Sequence, residues 1–174
     1  MTKNVLITGA TDGIGKQAAI DLAKMDYHVV IHGRDTESVN KAIKEVGEAS
    51  GKEDLRGFSG NFESLNDVKE LARKINEAYD HMDILVNNAG IFQKEKETTG
   101  DGYEKTFQVN HLSHYLLTRL LRKLLENSAS ARLVNVSSMV HATAIDFEDL
   151  QAGQNFEGSK AYGISKLCNV LFTY

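Results

Sequence analysis

Short runs of aliphatic residues alternate with stripes of helical period from one end of the chain to the other. The first run is Val5, Leu6 and Ile7, of the kind that suits a strand buried on both faces. Thr8-Gly9 breaks it, and a helical pattern follows whose apolar face reads Ile14, Ala18, Ala19, Leu22, Ala23 and Met25. Residues 27–31 (YHVVI) predict a second buried strand. Thr36 is placed to cap a helix with Val39, Ala42, Ile43 and Val46 on one side. After a polar connection at 47–54, residues 55–59 predict a weaker third strand ending at Gly60-Asn61-Phe62. Ser64 opens an amphipathic helix with the stripe Val68, Leu71, Ala72, Ile75, Ala78 and Tyr79. Residues 83–86 (DILV) predict the fourth strand and 93–102 a charged loop. Residues 103–126 predict one long helix, faced by Phe107, Leu112, Leu116, Leu117, Leu120, Leu121, Leu124 and Leu125. Residues 133–136 predict the fifth strand, 139–158 a longer loop, and the stretch from about 159 to the end a last helix.

Strands alternating with helices imply an α/β protein: a parallel sheet, doubly wound, of the Rossmann-type three-layer kind. Such a sheet binds ligands outside the carboxyl ends of its strands. The polar punctuation falls at those ends, at 9–15, Arg34, Asn61, 87–90 and Ser138, so one site is the economical reading. With 174 residues, one domain with a real core is expected. A net charge of −4 with no basic run argues against a nucleic-acid surface. No apolar stretch approaches the roughly 20 residues of a membrane span. Met1-Thr2-Lys3 leads directly into the first strand, which leaves no room for a signal peptide. The single cysteine, Cys168, cannot make an internal disulfide. A cytoplasmic location is the expectation.

The glycines after the first strand carry a specific chemistry. Strand, glycine turn and helix form the context of a dinucleotide fingerprint. Gly9 permits the tight turn, Gly13 lets a pyrophosphate approach the backbone, and Gly15 lets helix and strand pack closely. The amides and positive dipole end of the following helix would face the phosphates. Further along, Tyr162 and Lys166 are four apart and share a helix face. A lysine ammonium beside a phenol favours the phenolate and adapts it for acid–base work. Ser138, ending the fifth strand, could hold a substrate oxygen; equally, it could make an ordinary serine turn. Asn110 is a polar group in a largely apolar helix and needs a partner.

Taken together, Thr8-Gly9-x-x-x-Gly13-x-Gly15, Asn87-Asn88-Ala89-Gly90, Asn110, Ser138 and Tyr162-x-x-x-Lys166 resemble the short-chain dehydrogenase/reductase family. The local text VNVSSMVH, DFEDL and YGISKLCNVLF resembles its retinol-dehydrogenase-like branch, which includes varied carbonyl reductases. The resemblance implies a tetrad of Asn110, Ser138, Tyr162 and Lys166. In it the tyrosine is general acid or base and the serine positions the carbonyl or hydroxyl oxygen. The lysine binds the nicotinamide ribose and tunes the tyrosine, and the asparagine holds a water in the proton relay. The expected cofactor-binding residues are Thr8, Gly9, Thr11, Asp12, Gly13, Ile14, Gly15, Arg34, Asn61, Phe62, Asn87, Ala89 and Gly90, with Tyr162 and Lys166 shared with the chemistry. The family's usual aspartate after the third strand is here Asn61. The resemblance also implies a homo-oligomer through the helices at 103–126 and 159–174.

The choice of cofactor rests on local residues. A carboxylate about 20 residues past the glycine turn would bind a ribose hydroxyl and repel a 2′-phosphate. Here Gly33 closes the second strand and Arg34 follows, a guanidinium suited to phosphate. Asp35 is expected to turn into the helix start, where an acid is favourable. NADP(H) is therefore the expected cofactor and a carbonyl or alcohol the expected substrate. His32, His111, His114 and His141 form no spacing that holds a metal. The rival readings are a dinucleotide-binding sensor without catalysis and a structural fragment without turnover. The chain has no proline, and its last helical pattern meets no stop signal before Tyr174. The expectation is therefore a single dinucleotide-binding domain over 1–174 that belongs to a longer polypeptide. It would lack the C-terminal strands and the substrate-binding part, leaving the fifth strand as an exposed sheet edge.

Overall fold

The computed structural model describes residues 2–153 and 155–174. Five parallel strands form one sheet in the order β3-β2-β1-β4-β5. They are β1 (Asn4–Ile7), β2 (His28–Gly33), β3 (Arg56–Ser59), β4 (Ile84–Asn87) and β5 (Arg132–Asn135). The helices are α1 (Gly13–Lys24), α2 (Thr36–Ser50), α3 (Leu65–Ala78), the short α4 (Lys105–Phe107), α5 (Ser113–Glu126) and α6 (Gly158–Leu171). The doubly wound architecture is as expected. It follows from strands that are apolar on both faces: Val5, Leu6, Ile7, Val29, Val30 and Ile31 have no exposed surface.

Alternate side chains of each strand feed opposite layers. Leu6, Val30 and Leu85 pack under α3 and α5 with Leu71, Ile75, Leu117 and Leu121. Val5, Ile7, Val29 and Ile31 pack under α1 and α2 with Ala19, Ala23, Ala42 and Val46. At roughly 1.5–3 kcal/mol per buried aliphatic side chain, these two layers are the main source of stability. A smaller cluster, Phe107, Ile164 and Cys168, joins α4 to α6. Cys168 is thus a core residue, and burial pushes its thiol pKa up. No helix among the described residues is long and apolar enough to cross a membrane.

Four local expectations change. Asp35, not Thr36, caps α2: its carboxylate accepts the Ser38 amide at 2.8 Å. That geometry fits the expectation that Asp35 turns into the helix start, and Thr36 becomes the first helical residue. Ile14 and Met25 are exposed rather than part of the core face of α1, because one opens the helix beside a cleft and the other ends it. Ala78 and Leu120 also reach solvent, each at the margin of its stripe. The expected single helix at 103–126 is instead α4, a π-helical turn at Gln108–Leu112, and α5. External bonds stabilise that turn: Gln108 Nε2 donates to the Phe62 carbonyl and to Asp101, and Ser113 donates to the Phe62 carbonyl at 2.7 Å. β5 lies at one sheet edge, as expected, with Val134 exposed.

Candidate active site

The sheet order places β1 between β2 and β4, so the chain winds outward in opposite directions from the middle of the sheet. At that reversal, beyond the carboxyl ends of β1 to β4, lies a cleft of about 630 Å³. The glycine turn, Arg34, Asn61 and Phe62, and residues 88–91 line it. Gly9 sits at φ +63°, and a Cβ there would stand 2.8 Å from Ala89 Cα. A Cβ at Gly15 would collide with the Gly9 carbonyl oxygen and the Asn88 amide. Gly13, at φ +53°, has open space on its side-chain side. A bulky anion can therefore approach the backbone at Gly13 and meet the positive end of α1. Asp12 caps that helix by accepting the Gly13 amide at 2.7 Å, with Lys16 3.9 Å away.

Arg34 reaches the rim of the same cleft, its side chain 72% exposed and 3.9 Å from the Asp35 carboxylate. Asp35 is held by the Ser38 amide, and that bond, with smaller help from Arg34, keeps its carboxyl below the usual range. Asn61 Oδ1 accepts the Glu63 amide at 3.0 Å. Below the cleft, His32 stacks on Phe62 at 4.6 Å and bonds the Gly60 carbonyl at 3.0 Å. Burial pushes its pKa down to about 4, so this imidazole is a neutral strut.

Thr8 and Asn87 do not line the cleft. Thr8 is fully buried, and its hydroxyl oxygen accepts the amides of Asn88 (2.8 Å) and Ala89 (3.0 Å), tying β1 to the cleft wall. Asn87 is turned away into the sheet, donating to Thr118 Oγ1 and Asn135 Oδ1. Its neighbour Asn88 faces the cleft instead and donates to the Thr8 and Gly9 carbonyls. The two-residue period of a strand end decides which of two adjacent asparagines points where.

The second group of expected residues gathers where α6 crosses the π turn. Asn110 is fully buried: its Oδ1 accepts the Ile91 amide, and its Nδ2 donates to the Ile91 carbonyl and Ser165 Oγ. The Asn110 carbonyl receives Asn169 Nδ2 at 3.0 Å. Lys166 is 4% exposed; Nζ donates to the Val136 carbonyl at 3.2 Å and lies 5.6 Å from the centre of the Tyr162 ring. Burial pulls the lysine pKa down. Phe92 packs edge-on against the Tyr162 ring at 5.8 Å. Ser137 donates to the Lys166 carbonyl, whereas Ser138 accepts the Val140 amide at 3.3 Å. Gly90 joins the two groups. It lines the cleft, and a Cβ on it would stand 3.4 Å from both Asn110 Oδ1 and Lys166 Nζ.

Sequence reasoning passed over Asn88, Ser165 and Asn169 as site residues. Asn88 lay within the quoted Asn87-Asn88-Ala89-Gly90. Ser165, three residues past Tyr162, and Asn169, three past Lys166, had only that helical spacing as a signal. Among the described residues no group of three or more His, Cys, Asp or Glu side chains could hold a metal ion.

A cleft at the switch point of a doubly wound sheet, walled by a glycine turn, defines a protein of the Rossmann-type fold. A family model for short chain dehydrogenase matches residues 3–172, and the chain belongs to that family. It is retinol-dehydrogenase-like: human retinol dehydrogenase 13 is 40% identical over 173 residues, covering 98% of this chain and 52% of that protein. Human retinol dehydrogenase 14 is 38% identical, covering 98% of this chain and 55% of its own. The chain thus spans about half the length of these curated relatives. A solved protein from Mycobacterium paratuberculosis superposes with a TM-score of 0.84 at 34% identity, covering 98% of this chain and 60% of that one. A short chain dehydrogenase from Escherichia coli complexed with NADPH superposes with a TM-score of 0.76 at 26% identity, covering 98% and 68%.

Proposed function

We propose that this protein is an NADP(H)-dependent oxidoreductase that interconverts a carbonyl compound and its alcohol, with Tyr162 as general acid or base. The observation that carries the reading is the shared wall at Gly90. Gly90 lines the dinucleotide cleft and backs directly onto the buried pair, with Asn110 Oδ1 and Lys166 Nζ each 3.4 Å from where its Cβ would stand. Gly9, Thr11, Gly13, Ile14 and Gly15 would hold the pyrophosphate, Arg34 the 2′-phosphate, Asn61 and Phe62 the adenine side, and Ala89 and Gly90 the nicotinamide side. Bound there, NADP(H) supplies or accepts the hydride. Lys166 would hydrogen-bond the ribose and, as a buried cation, favour the phenolate of Tyr162. Tyr162 would then give its proton to the carbonyl oxygen as the carbon is reduced, or take it in the reverse direction. Ser138 would hold that oxygen once its hydroxyl turns from the Val140 amide. Asn110 acts here by fixing Ile91 and α6, since its amide groups and its carbonyl already have protein partners.

Arg34 at the cleft rim and the tie of the Asp35 carboxylate to the Ser38 amide support NADP(H) over NAD(H). The exposed Tyr115 and Leu171 on the flank of α5 and α6 fit a homo-oligomer through that face. Following NADPH oxidation at 340 nm (the absorbance band of the reduced ring) against a panel of aldehydes and ketones tests the function. Tyr162→Phe should remove turnover by roughly a hundred- to ten-thousandfold while NADPH affinity stays near the starting value. Undiminished turnover in that variant overturns the role given to Tyr162.

A further inference from the structure

His114 is the most deeply buried titratable group that the proposed chemistry leaves without a task. It is 1% exposed, stands at the start of α5, and is four residues past Asn110. Its Nδ1 lies 2.9 Å from the Asn110 carbonyl and its Nε2 2.8 Å from Thr8 Oγ1. A carbonyl oxygen only accepts, so Nδ1 carries the proton. Burial pushes the imidazole pKa down to about 3, which leaves the ring neutral and Nε2 an acceptor near neutral pH. The Thr8 hydroxyl therefore donates to Nε2, while its oxygen receives the amides of Asn88 and Ala89. The one hydrogen of the hydroxyl goes to Nε2 at 2.8 Å rather than to the Val86 carbonyl at 3.3 Å, which sets the polarity of the series. Asn88 and Ala89 donate to Thr8, Thr8 donates to His114, and His114 donates to Asn110.

Both ends of this series lie on working parts. Asn88 and Ala89 line the cleft, and Asn110 holds Ile91 and the middle of α6 at Ser165. Between them is a π turn, a rare backbone form that relies on bonds from outside the helix. Phe62 meets the His114 ring edge-on at 5.0 Å, so packing alone would accept an apolar ring. An apolar ring would leave the buried Thr8 hydroxyl only the longer bond to the Val86 carbonyl at 3.3 Å, a loss that packing does not restore.

We propose that His114 is a positioning residue: a two-ended brace that holds the Asn110 turn in register with the wall of the dinucleotide cleft. The proposal rests on the reductase reading for its consequence in turnover but not for its geometry. His114→Gln carries an acceptor oxygen at about the reach of Nε2 and loses the donor at Nδ1. His114→Asn carries a donor at about the reach of Nδ1 and loses the acceptor. Three measurements test it: the tautomer from long-range proton–nitrogen NMR spectra, amide exchange of Asn88 and Ala89, and NADPH affinity beside turnover.

The expected result is a protonated Nδ1 and a split between variants. His114→Asn should speed exchange at Asn88 and Ala89 and weaken NADPH by up to about tenfold, the scale of one hydrogen bond. His114→Gln should leave those amides protected and lower kcat at saturating NADPH by a similar factor. A proton on Nε2, or both variants moving every readout in proportion to lost thermal stability, would overturn the brace. If the tautomer and exchange behave as expected but the protein reduces no carbonyl, the brace stands and the reductase reading fails.

Discussion

The two halves of the site are built on opposite plans. On the β1–β3 side, the cleft is made of loop ends and backbone: a glycine with open space beside it, an arginine 72% exposed, a helix start. On the α4–α6 side, Asn110, His114, Ser165, Lys166 and Asn169 are all buried, and each bonds a neighbour on another element or at the π turn. The first half offers donors to a ligand that must come and go. In the proposed reading the second half would hold a proton-handling group in one place, where low dielectric makes charges strong. Recognition tolerates an open surface, whereas acid–base work requires tuned groups at set distances.

Removing Lys166 should produce the largest effect and blur the distinction, because the proposed mechanism gives that residue a task toward both the cofactor and Tyr162. Lys166→Ala is expected to cut turnover by roughly a hundred- to ten-thousandfold and also to weaken NADPH. Steady-state kinetics with a parallel fluorescence titration reads both. Unchanged NADPH affinity would detach the lysine from the ribose.

Acid should act on the floors of both halves at once. His32 lies under the cleft with a pKa near 4 and His114 under the π turn with a pKa near 3, while an unfolded histidine titrates near 6.5. Between those values the unfolded state takes up protons that the folded state refuses. Stability is therefore full above pH 6.5 and falls as pH drops, by up to about 1.4 kcal/mol per pH unit for each histidine. Denaturant unfolding from pH 7 to pH 4.5 measures this slope, and His114→Gln should flatten it by the share of one histidine. A pH-independent stability over that range would contradict the neutral, buried state of both rings.

The smallest effect should fall on the open half alone. Arg34→Ala is expected to remove most of a preference for NADPH over NADH, on the order of ten- to a hundredfold, while leaving turnover at saturating NADPH unchanged. Equal affinity for the two cofactors before mutation would refute the role of the guanidinium.

Local pattern sufficed for one half and not for the other. Strand runs such as Val5-Leu6-Ile7 and stripes such as Val68, Leu71, Ala72 and Ile75 are periodic, and burial follows period closely. The glycine turn is also legible, because φ values of +63° and +53° and the crowding of Gly15 by the Gly9 carbonyl arise within one short peptide. Asp35 could be foreseen at its helix start for the same local reason, although Thr36 was the expected cap. Tertiary structure decided that the helix at 103–126 breaks into a π turn, because the Phe62 carbonyl that receives both Gln108 and Ser113 lies more than 40 residues away and reaches it only through the fold. It decided that Asn88 rather than Asn87 faces the cleft, since a one-residue change of strand exit exchanges the two. It also joined Thr8 to His114 across 106 residues, a distance over which no hydrophobic period carries information. Sequence alone determines what each segment can become, because propensity and burial act over a few residues. Which polar groups meet is determined only by packing, because a hydrogen bond depends on positions in space and not on separation along the chain.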